Sequence, residues 1–231
     1  MQVERPWIHL LGTDTDVGKT WVCRLLATPG FLTQTPVLAT KPIHSGWSNE
    51  ESLGSDLDVH GDHLKKHPPE LLCCYRLEHP MSPQGAAKIE GMKLSKEELH
   101  RWKRKSQSAL HPATVFCEGI GGICCPIAPG WTYLDWLAEL AEPAILIARV
   151  GLGTLNHTIM SARLLKASGI PLKAIVLNEE KEYEENDLVR SNCRWELEQQ
   201  LDVPIIGPLV RNDVAQNRNA LSPLKKLLEL P

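Results

Sequence analysis

A loop of nine residues, 12–20, constrains the fold of this chain more than any other feature. It reads GTDTDVGKT, follows the apolar run at residues 7–11 directly, and opens a helical pattern that continues to about Ala27. A glycine-containing turn between a strand and a helix presents backbone N–H groups to an anion, and the helix N-terminus adds positive potential. The loop therefore predicts an α/β fold organised around a phosphate-binding turn.

Two side chains of this loop have the chemistry of a nucleotide site. Lys19 can neutralise β- and γ-phosphate charge, and the hydroxyl of Thr20 can bind Mg²⁺. The loop is a variant, because five residues separate Gly12 from Gly18, where the ordinary phosphate loop has four. Asp14 and Asp16 would lie beside a bound polyphosphate, so a cation must compensate their charge, and both Mg²⁺ and a cationic substrate amine are candidates.

The rest of the chain alternates short apolar runs with helical patterns. Strands are predicted at residues 36–40, 114–118, 144–150, 174–178 and 204–206. Helices are predicted at residues 95–105, 155–167, 184–201 and 221–228. This rhythm predicts a P-loop NTPase-like, mostly parallel sheet with helices on both faces, formed by residues 1–231 as a single domain. Residues 48–83 and 211–219 fit neither pattern and are predicted to be long loops or irregular insertions.

Composition narrows the classes of protein that need to be considered. The chain has 231 residues, with 25 Lys and Arg against 28 Asp and Glu, which gives a net charge of −3 and argues against nucleic-acid binding. No apolar run approaches the ~20 residues that cross a bilayer, and no signal peptide is recognisable, so we expect no membrane association and a cytoplasmic protein. The seven cysteines include no Cys-x-x-Cys pair, which favours reduced and mostly buried thiols.

Charged side chains end two of the predicted strands. Lys41 follows the strand at residues 36–40, and Glu118 ends the strand at residues 114–118. The carboxyl ends of parallel strands share the sheet edge that holds the phosphate loop. Lys41 is therefore a candidate second cation for a transferring phosphoryl group, and Glu118 is a candidate Mg²⁺ ligand.

A second carboxylate for the metal has three candidates on one predicted loop. Asp56, Asp58 and Asp62 all lie close together there, and Mg²⁺ prefers such oxygen ligands. The sequence does not rank these three aspartates.

A second helix start, at residues 151–157, offers another anion site. It reads GLGTLNH after the strand at residues 144–150 and could hold a carboxylate, although an ordinary strand-to-helix turn would look the same. Asn178 ends the next strand and offers an amide that could contact a purine edge or simply form a turn. The histidines are interpreted as surface or packing residues.

Together, the motifs at residues 12–20, 41–46, 118–122 and 153–157 and the asparagine at 178 resemble dethiobiotin synthetase. The resemblance implies an ATP-dependent cyclo-ligase of biotin synthesis, which converts 7,8-diaminopelargonate, CO₂ (or bicarbonate) and ATP into dethiobiotin, ADP and phosphate. A carbamate forms on one amine, receives the γ-phosphoryl group to give a carbamic–phosphoric anhydride, and is attacked by the second amine. The resemblance also implies a homodimer.

The resemblance assigns roles to particular positions. Lys19 would hold the phosphates, and Lys41 would stabilise the carbamate and the transferring phosphoryl group. The nucleotide-binding set would be Asp16, Val17, Gly18, Lys19, Thr20 and Asn178. Magnesium would be held by Thr20, Asp56 and Glu118. The substrate-binding set, which the partner subunit completes near 153–156, would be Thr15, Lys41, Ser45, Gly121, Gly153, Thr154 and Asn156.

Three positions depart from the family pattern. The family often has glutamate at position 16, usually a small residue at 120 and commonly proline at 210, where this chain has Asp16, Ile120 and Val210. Base selectivity is therefore open, and nucleotides other than ATP are not excluded.

Two other classes share this kind of loop. A partner-binding switch ATPase of the partitioning or septum-site type would carry an additional lysine near the loop start, where this chain has Thr13 and Asp14. A related amidoligase or an idle regulatory domain is the third hypothesis. Retention of Lys19, Lys41 and Glu118 argues against an idle domain.

Overall fold

The fold is organised around a sheet of six parallel strands, and the computed structural model describes residues 7–47, 66–179, 183–184, 187–211 and 213–230. The strands are β1 (Trp7–Gly12), β2 (Val37–Thr40), β5 (Thr114–Glu118), β8 (Ala144–Arg149), β9 (Leu172–Asn178) and β10 (Ile205–Leu209). They lie in the order β10-β9-β8-β1-β5-β2. Two small sheets pair β3 (Ile43–Ser45) with β4 (Tyr75–Leu77) and β6 (Pro126–Ala128) with β7 (Trp131–Thr132).

Helices flank this sheet, and their apolar residues cover strands whose side chains are almost all buried. They are α1 (Lys19–Ala27), α2 (Pro69–Leu72), α3 (Pro83–Glu90), α4 (Lys96–Leu110), α5 (Tyr133–Leu140), α6 (Thr154–Ala167), α7 (Leu188–Gln200), α8 (Val214–Leu221) and α9 (Pro223–Leu227). None of the helices in the described ranges is long and apolar enough to cross a membrane.

The parallel α/β architecture predicted from the sequence is confirmed. The prediction that residues 211–219 are irregular is wrong, because α8 begins at Val214. The Asp213 side chain caps this helix by accepting the N–H of Gln216 at 2.8 Å. Within residues 48–83, the described part forms α2 and β4 rather than a continuous loop; residues 48–65 lie outside the described residues.

The cysteines are distributed as the composition suggested. Four of the seven thiols are buried, and only Cys124 is exposed. The buried ones are Cys23, Cys73, Cys117 and Cys193. These thiols act as small apolar residues of the interior.

A cluster of buried polar side chains surrounds His9 on β1. The ring Nε2 of His9 lies 2.9 Å from Glu142 Oε2, and the Lys103 ammonium on α4 binds the same carboxylate while lying 4.3 Å from the Trp7 ring centroid. Burial alone would lower the pKa of His9, but the neighbouring Cys117 and Glu142 raise it to about 9. Burial also raises the pKa of Tyr133, which packs beside the cluster from α5.

This cluster predicts a loss of stability at alkaline pH. A histidine with a folded-state pKa near 9 and an unfolded-state pKa near 6.5 stabilises the fold fully below pH 6.5 and loses that contribution as the pH rises through about 9. Between pH 6.5 and 10 we expect the free energy of unfolding to fall by about 3 kcal/mol through this group. Denaturant unfolding of wild type and His9→Gln across this range measures it. The matched control is His100→Gln, because His100 is more exposed and binds Glu139 at the surface; an equal fall in wild type and His9→Gln would contradict the assignment.

Candidate functional site

The loop that joins β1 to α1 is held from below by Asn178, the last residue of β9. The Nδ2 group of Asn178 donates to the carbonyl of Val17 at 3.1 Å. Gly18 has a φ of 92°, and a Cβ at this position would overlap the Asn178 amide. Position 18 therefore requires glycine for its backbone conformation and for the close approach of this side chain.

Alanine at position 18, compared with alanine at a control glycine, separates the cost of the backbone conformation from the cost of the close contact with Asn178. Gly18→Ala is expected to destabilise the protein by about 1 kcal/mol through the left-handed backbone and by roughly 1–3 kcal/mol more through displacement of the buried Asn178 amide. Gly91 is the matched control, because it has a φ of 66° and no atom within 4 Å of its added Cβ. Denaturant unfolding of both variants gives the two free energies. Equal losses of unfolding free energy in the two variants would show that the Asn178 side chain moves aside at no energetic cost, which would contradict this expectation.

Lys19 is buried at the start of α1 and lies over its own loop. Its Nζ donates to the carbonyl of Asp14 at 2.8 Å. Burial lowers the pKa of Lys19, Glu118 raises it, and the neighbouring Lys41 ammonium lowers it again. A polyanion entering the loop would add the negative charge that favours the ammonium form.

Glu118 is the centre of the site, and only 1% of its surface is exposed. Its Oε1 accepts the hydroxyl of Thr20 at 2.8 Å and the ammonium of Lys41 at 2.9 Å. The carboxylate thus joins the end of β5 to the first turn of α1 and to the residue after β2. The predicted convergence of Lys41, Glu118 and Thr20 at one sheet edge is confirmed.

This donor set fits a hard divalent cation. A hydroxyl and a carboxylate that already touch each other are the oxygen ligands that Mg²⁺ takes beside nucleotide phosphates. The third predicted ligand, Asp56, and its alternatives Asp58 and Asp62 lie outside the described residues. Within the described ranges no group of three or more His, Cys, Asp or Glu side chains could hold a metal ion.

A cleft of about 850 Å³ opens above these residues. Most of the predicted site residues line it: Thr15, Asp16, Gly18, Lys19, Thr20, Lys41, Ser45, Glu118 and Gly121. Residues 80–83 also line the cleft, and there the Ser82 side chain caps α3 by accepting the N–H of Gly85 at 3.3 Å. The cleft is large enough for a nucleotide and a second small substrate.

The remaining predicted residues within the described ranges lie outside the lining of this cleft. Val17 is buried beneath the loop, and Asn178 supports it. Gly153 and Asn156 are exposed at the start of α6, whereas Thr154 is buried with its hydroxyl 3.4 Å from that of Thr158. The helix start at 153–156 therefore stands apart from the cleft within this one chain.

The departures from the family pattern have local physical counterparts. Asp16 has a φ of 56°, in the left-handed region that aspartate tolerates better than most residues. Ile120 is almost fully buried and lines the cleft. The N–H of Val210 donates to Asn217 Oδ1 at 2.9 Å, and its carbonyl accepts from Asn217 Nδ2 at 2.7 Å. A proline at position 210 would lack that N–H.

Sequence reasoning missed four parts of the cleft lining. Trp21, Arg211 and Cys125 also line it, as do residues 80–83. The Ser82-Pro83 pair carried a usable signal, because serine followed by proline marks a helix start. Trp21 and Arg211 have no such signal in the sequence. Arg211 lies two residues after the end of β10, and only the tertiary fold brings it to the cleft at the loop that follows β1.

The fold and site define a phosphate-loop, nucleotide-dependent enzyme. A family model described as an AAA domain matches residues 8–218. The ATP-dependent dethiobiotin synthetase BioD of Anoxybacillus flavithermus (strain DSM 21510 / WK1) is 32% identical over 87% of this chain and 89% of its own. That of Anaeromyxobacter sp. (strain Fw109-5) is 36% identical over 74% of this chain and 76% of its own. The chain belongs to the dethiobiotin synthetase family.

Solved structures show the same fold at low sequence identity. A ParA family ATPase from Chlorobium tepidum TLS matches with a TM-score of 0.52 and 13% identity, covering 99% of this chain and 94% of that one. A chain of the MinC:MinD cell division protein complex of Aquifex aeolicus matches with a TM-score of 0.55 and 11% identity, covering 94% of this chain and 86% of that one. At such identities the likeness concerns the fold alone.

Proposed function

We infer that this chain is a ligase that makes dethiobiotin from 7,8-diaminopelargonate, CO₂ and ATP in biotin biosynthesis. One observation carries this function beyond the family relationship: Lys41 and Thr20 converge on the same oxygen, Oε1, of the buried Glu118 carboxylate within the cleft. This cluster places a second cation beside the phosphate loop, as phosphoryl transfer to a carbamate oxygen requires.

The nucleotide is held by the loop and its lysine. Backbone N–H groups of residues 16–20 and the ammonium of Lys19 bind the phosphates, and the helix start of α1 adds positive potential. Thr20 and Glu118 hold Mg²⁺, which neutralises charge on the β- and γ-phosphates when it is bound. Asp56 is proposed as the third ligand of that ion.

Lys41 acts on the acceptor side of the transfer. The carbamate forms on one substrate amine by addition to CO₂ with loss of a proton. Its oxygen then attacks the γ-phosphorus, the bond from that phosphorus to the β,γ-bridging oxygen breaks, and ADP leaves. The Lys41 ammonium stabilises the charge shared between carbamate and phosphoryl oxygens, while Thr15, Ser45 and Gly121 seat the carbamate and the diamine. The second amine then attacks the carbamate carbon, and phosphate leaves as the ureido ring closes.

Growth of a biotin-requiring bacterial strain tests this function in cells. A strain blocked only at dethiobiotin formation is expected to grow without biotin when it produces this chain, and to fail when it produces Lys41→Ala at the same level. Dethiobiotin added to the medium is the control for the position of the block. Growth supported equally by Lys41→Ala would contradict the proposed role of Lys41.

A homodimer would complete the substrate site at 153–156. Apolar side chains are exposed beside this helix start: Leu152 is 85% exposed and Met160 on α6 is 58% exposed, with Leu164 one turn further along. A second copy packed on this face would cover them and bring Gly153, Thr154 and Asn156 to the partner's cleft. The substrate carboxylate would then bind at that helix start.

If the dimer forms through this face, a charged side chain placed on the face is expected to lower the mass of the protein in solution. Met160→Glu is expected to shift the protein towards a monomer in analytical ultracentrifugation and to raise the KM for diaminopelargonate. Ile89→Glu is the matched control, because Ile89 is also 58% exposed but lies on α3. A wild-type monomer, or an unchanged mass in Met160→Glu, would contradict the interface.

The remaining proposals concern the setting of the enzyme. We place it in the cytoplasm, as one catalytic domain that acts on small molecules and binds neither nucleic acid nor membrane. The absence of an additional lysine at Thr13 and Asp14 disfavours the partner-binding switch class.

A further inference from the structure

The lining of the cleft includes two side chains that have no part in the nucleotide and substrate binding proposed for this chain. Trp21 lies in the first turn of α1, and Arg211 follows the end of β10. Neither side chain is proposed to contact phosphate, metal or carbamate.

These two residues flank Asn178. On one side, Gly18 lies against the Asn178 amide, and Trp21 is three residues, or about one helical turn, further along α1. On the other side, Leu209 pairs in register with Asn178, and Arg211 is two residues beyond it. The first turn of α1 and the exit of β10 therefore carry Trp21 and Arg211 to the same end of the cleft.

The chemistry of the pair suits a planar ring. Trp21 is partly buried and packs against the core, so the remainder of its indole is available at the cleft wall. Arg211 is exposed and forms no ion pair or hydrogen bond with any residue in the described ranges, whereas Arg190 binds Glu179 and Arg194 binds Glu198. An indole and a guanidinium both stack on aromatic faces, and a guanidinium keeps its charge at any working pH.

The backbone just after β10 is held in place by a buried side chain, which favours a defined contact between Arg211 and a planar ring. Both polar groups of the Val210 backbone are bound by the side chain of Asn217, which is itself 1% exposed. The residue before Arg211 is therefore anchored, although the guanidinium remains exposed. Beneath the phosphate loop, the buried Oδ1 of Asn178 has no hydrogen-bond partner among the described residues.

We propose that Trp21 and Arg211 form a stacking platform for the nucleobase, with the indole on one face of the base and the guanidinium on the other. This inference rests on the proposed nucleotide site and adds the source of base affinity. Stacking depends on the π face that every base has, so this platform supplies affinity without selecting one base.

Nucleotide binding without diaminopelargonate tests the platform separately from ligase activity. The probes are ATP, CTP, GTP and inorganic tripolyphosphate, all with Mg²⁺, measured by calorimetry. Trp21→Ala is expected to weaken all three nucleotides roughly 10-fold, within threefold of one another, and to leave tripolyphosphate within twofold. Arg211→Ala is expected to act in the same direction with a smaller change.

Conservative variants separate stacking from charge and from folding defects. Trp21→Phe keeps an aromatic face and is expected to stay within threefold of wild type for every nucleotide. Arg211→Lys keeps the charge but loses the planar group, and is expected to behave like Arg211→Ala. Lys19→Ala is the contrasting control, because it should weaken tripolyphosphate as well.

Three outcomes would overturn the platform. A loss of tripolyphosphate binding in Trp21→Ala or Arg211→Ala equal to the loss of ATP would assign these residues to the phosphates. Rescue of all nucleotide binding by Arg211→Lys would assign the guanidinium a charge role only. Equal affinity of wild type for ATP and tripolyphosphate would exclude any base contact and leave the proposed ligase function intact, whereas diamine-independent hydrolysis would refute that function and leave the platform intact.

Discussion

Lys41→Ala is expected to lower dethiobiotin formation by at least about 100-fold while leaving the affinity for ATP within a few-fold. Removal of one preorganised cationic or hydrogen-bonding group from a transition state commonly costs 10²- to 10³-fold in rate. Lys41 follows β2 and donates to Glu118, whereas Lys19 belongs to the phosphate loop itself and donates to the carbonyl of Asp14, so we assign the Lys41 charge to the transfer and not to nucleotide binding. Single-turnover kinetics and calorimetry with ATP measure the two effects separately.

The control for this variant is another buried, ion-paired lysine. Lys103 is 3% exposed and binds Glu142, as Lys41 is 8% exposed and binds Glu118. Lys103→Ala should therefore destabilise the protein without lowering the rate at a temperature where both variants are folded. Lys41→Met adds a variant that keeps the buried side-chain stem. A large loss of ATP affinity in Lys41→Ala, or an equal loss of rate in Lys103→Ala, would refute the assigned role.

Lys19→Ala is expected to weaken ATP binding itself by roughly 10- to 100-fold, the range for loss of a hydrogen bond to a charged group. Its ammonium donates to the loop carbonyl of Asp14 at 2.8 Å, and that bond is readily exchanged for one to a phosphate oxygen. Calorimetry with ATP and with tripolyphosphate measures the loss, and both ligands should be affected equally.

The fold and the charged centre of the site were predictable because their signals are local. The strands are recognisable in the sequence as short apolar runs. The phosphate loop and Lys41 follow such runs directly, and Glu118 ends one. In a parallel sheet the ends of these strands meet at one edge, so position along the chain was enough to bring Thr20, Lys41 and Glu118 together.

The parts that escaped prediction depend on tertiary contacts. Helix α8 is short and polar, and the contacts that fix it are the cap at Asp213 and the Asn217 bridge to Val210. Neither contact has a periodic signature. Trp21 is indistinguishable in the sequence from an ordinary helix residue, and only the fold brings it and Arg211 to the lining of one cleft.

The central claim is that ATP cleavage in this cleft is coupled to ring closure on the diamine. Phosphate release with Mg·ATP and bicarbonate, measured with and without 7,8-diaminopelargonate while dethiobiotin is quantified by mass, tests that coupling most directly. The account predicts phosphate release only when the diamine is present, with one dethiobiotin formed for each phosphate. Phosphate released at the same rate without the diamine, or released without dethiobiotin, would contradict it.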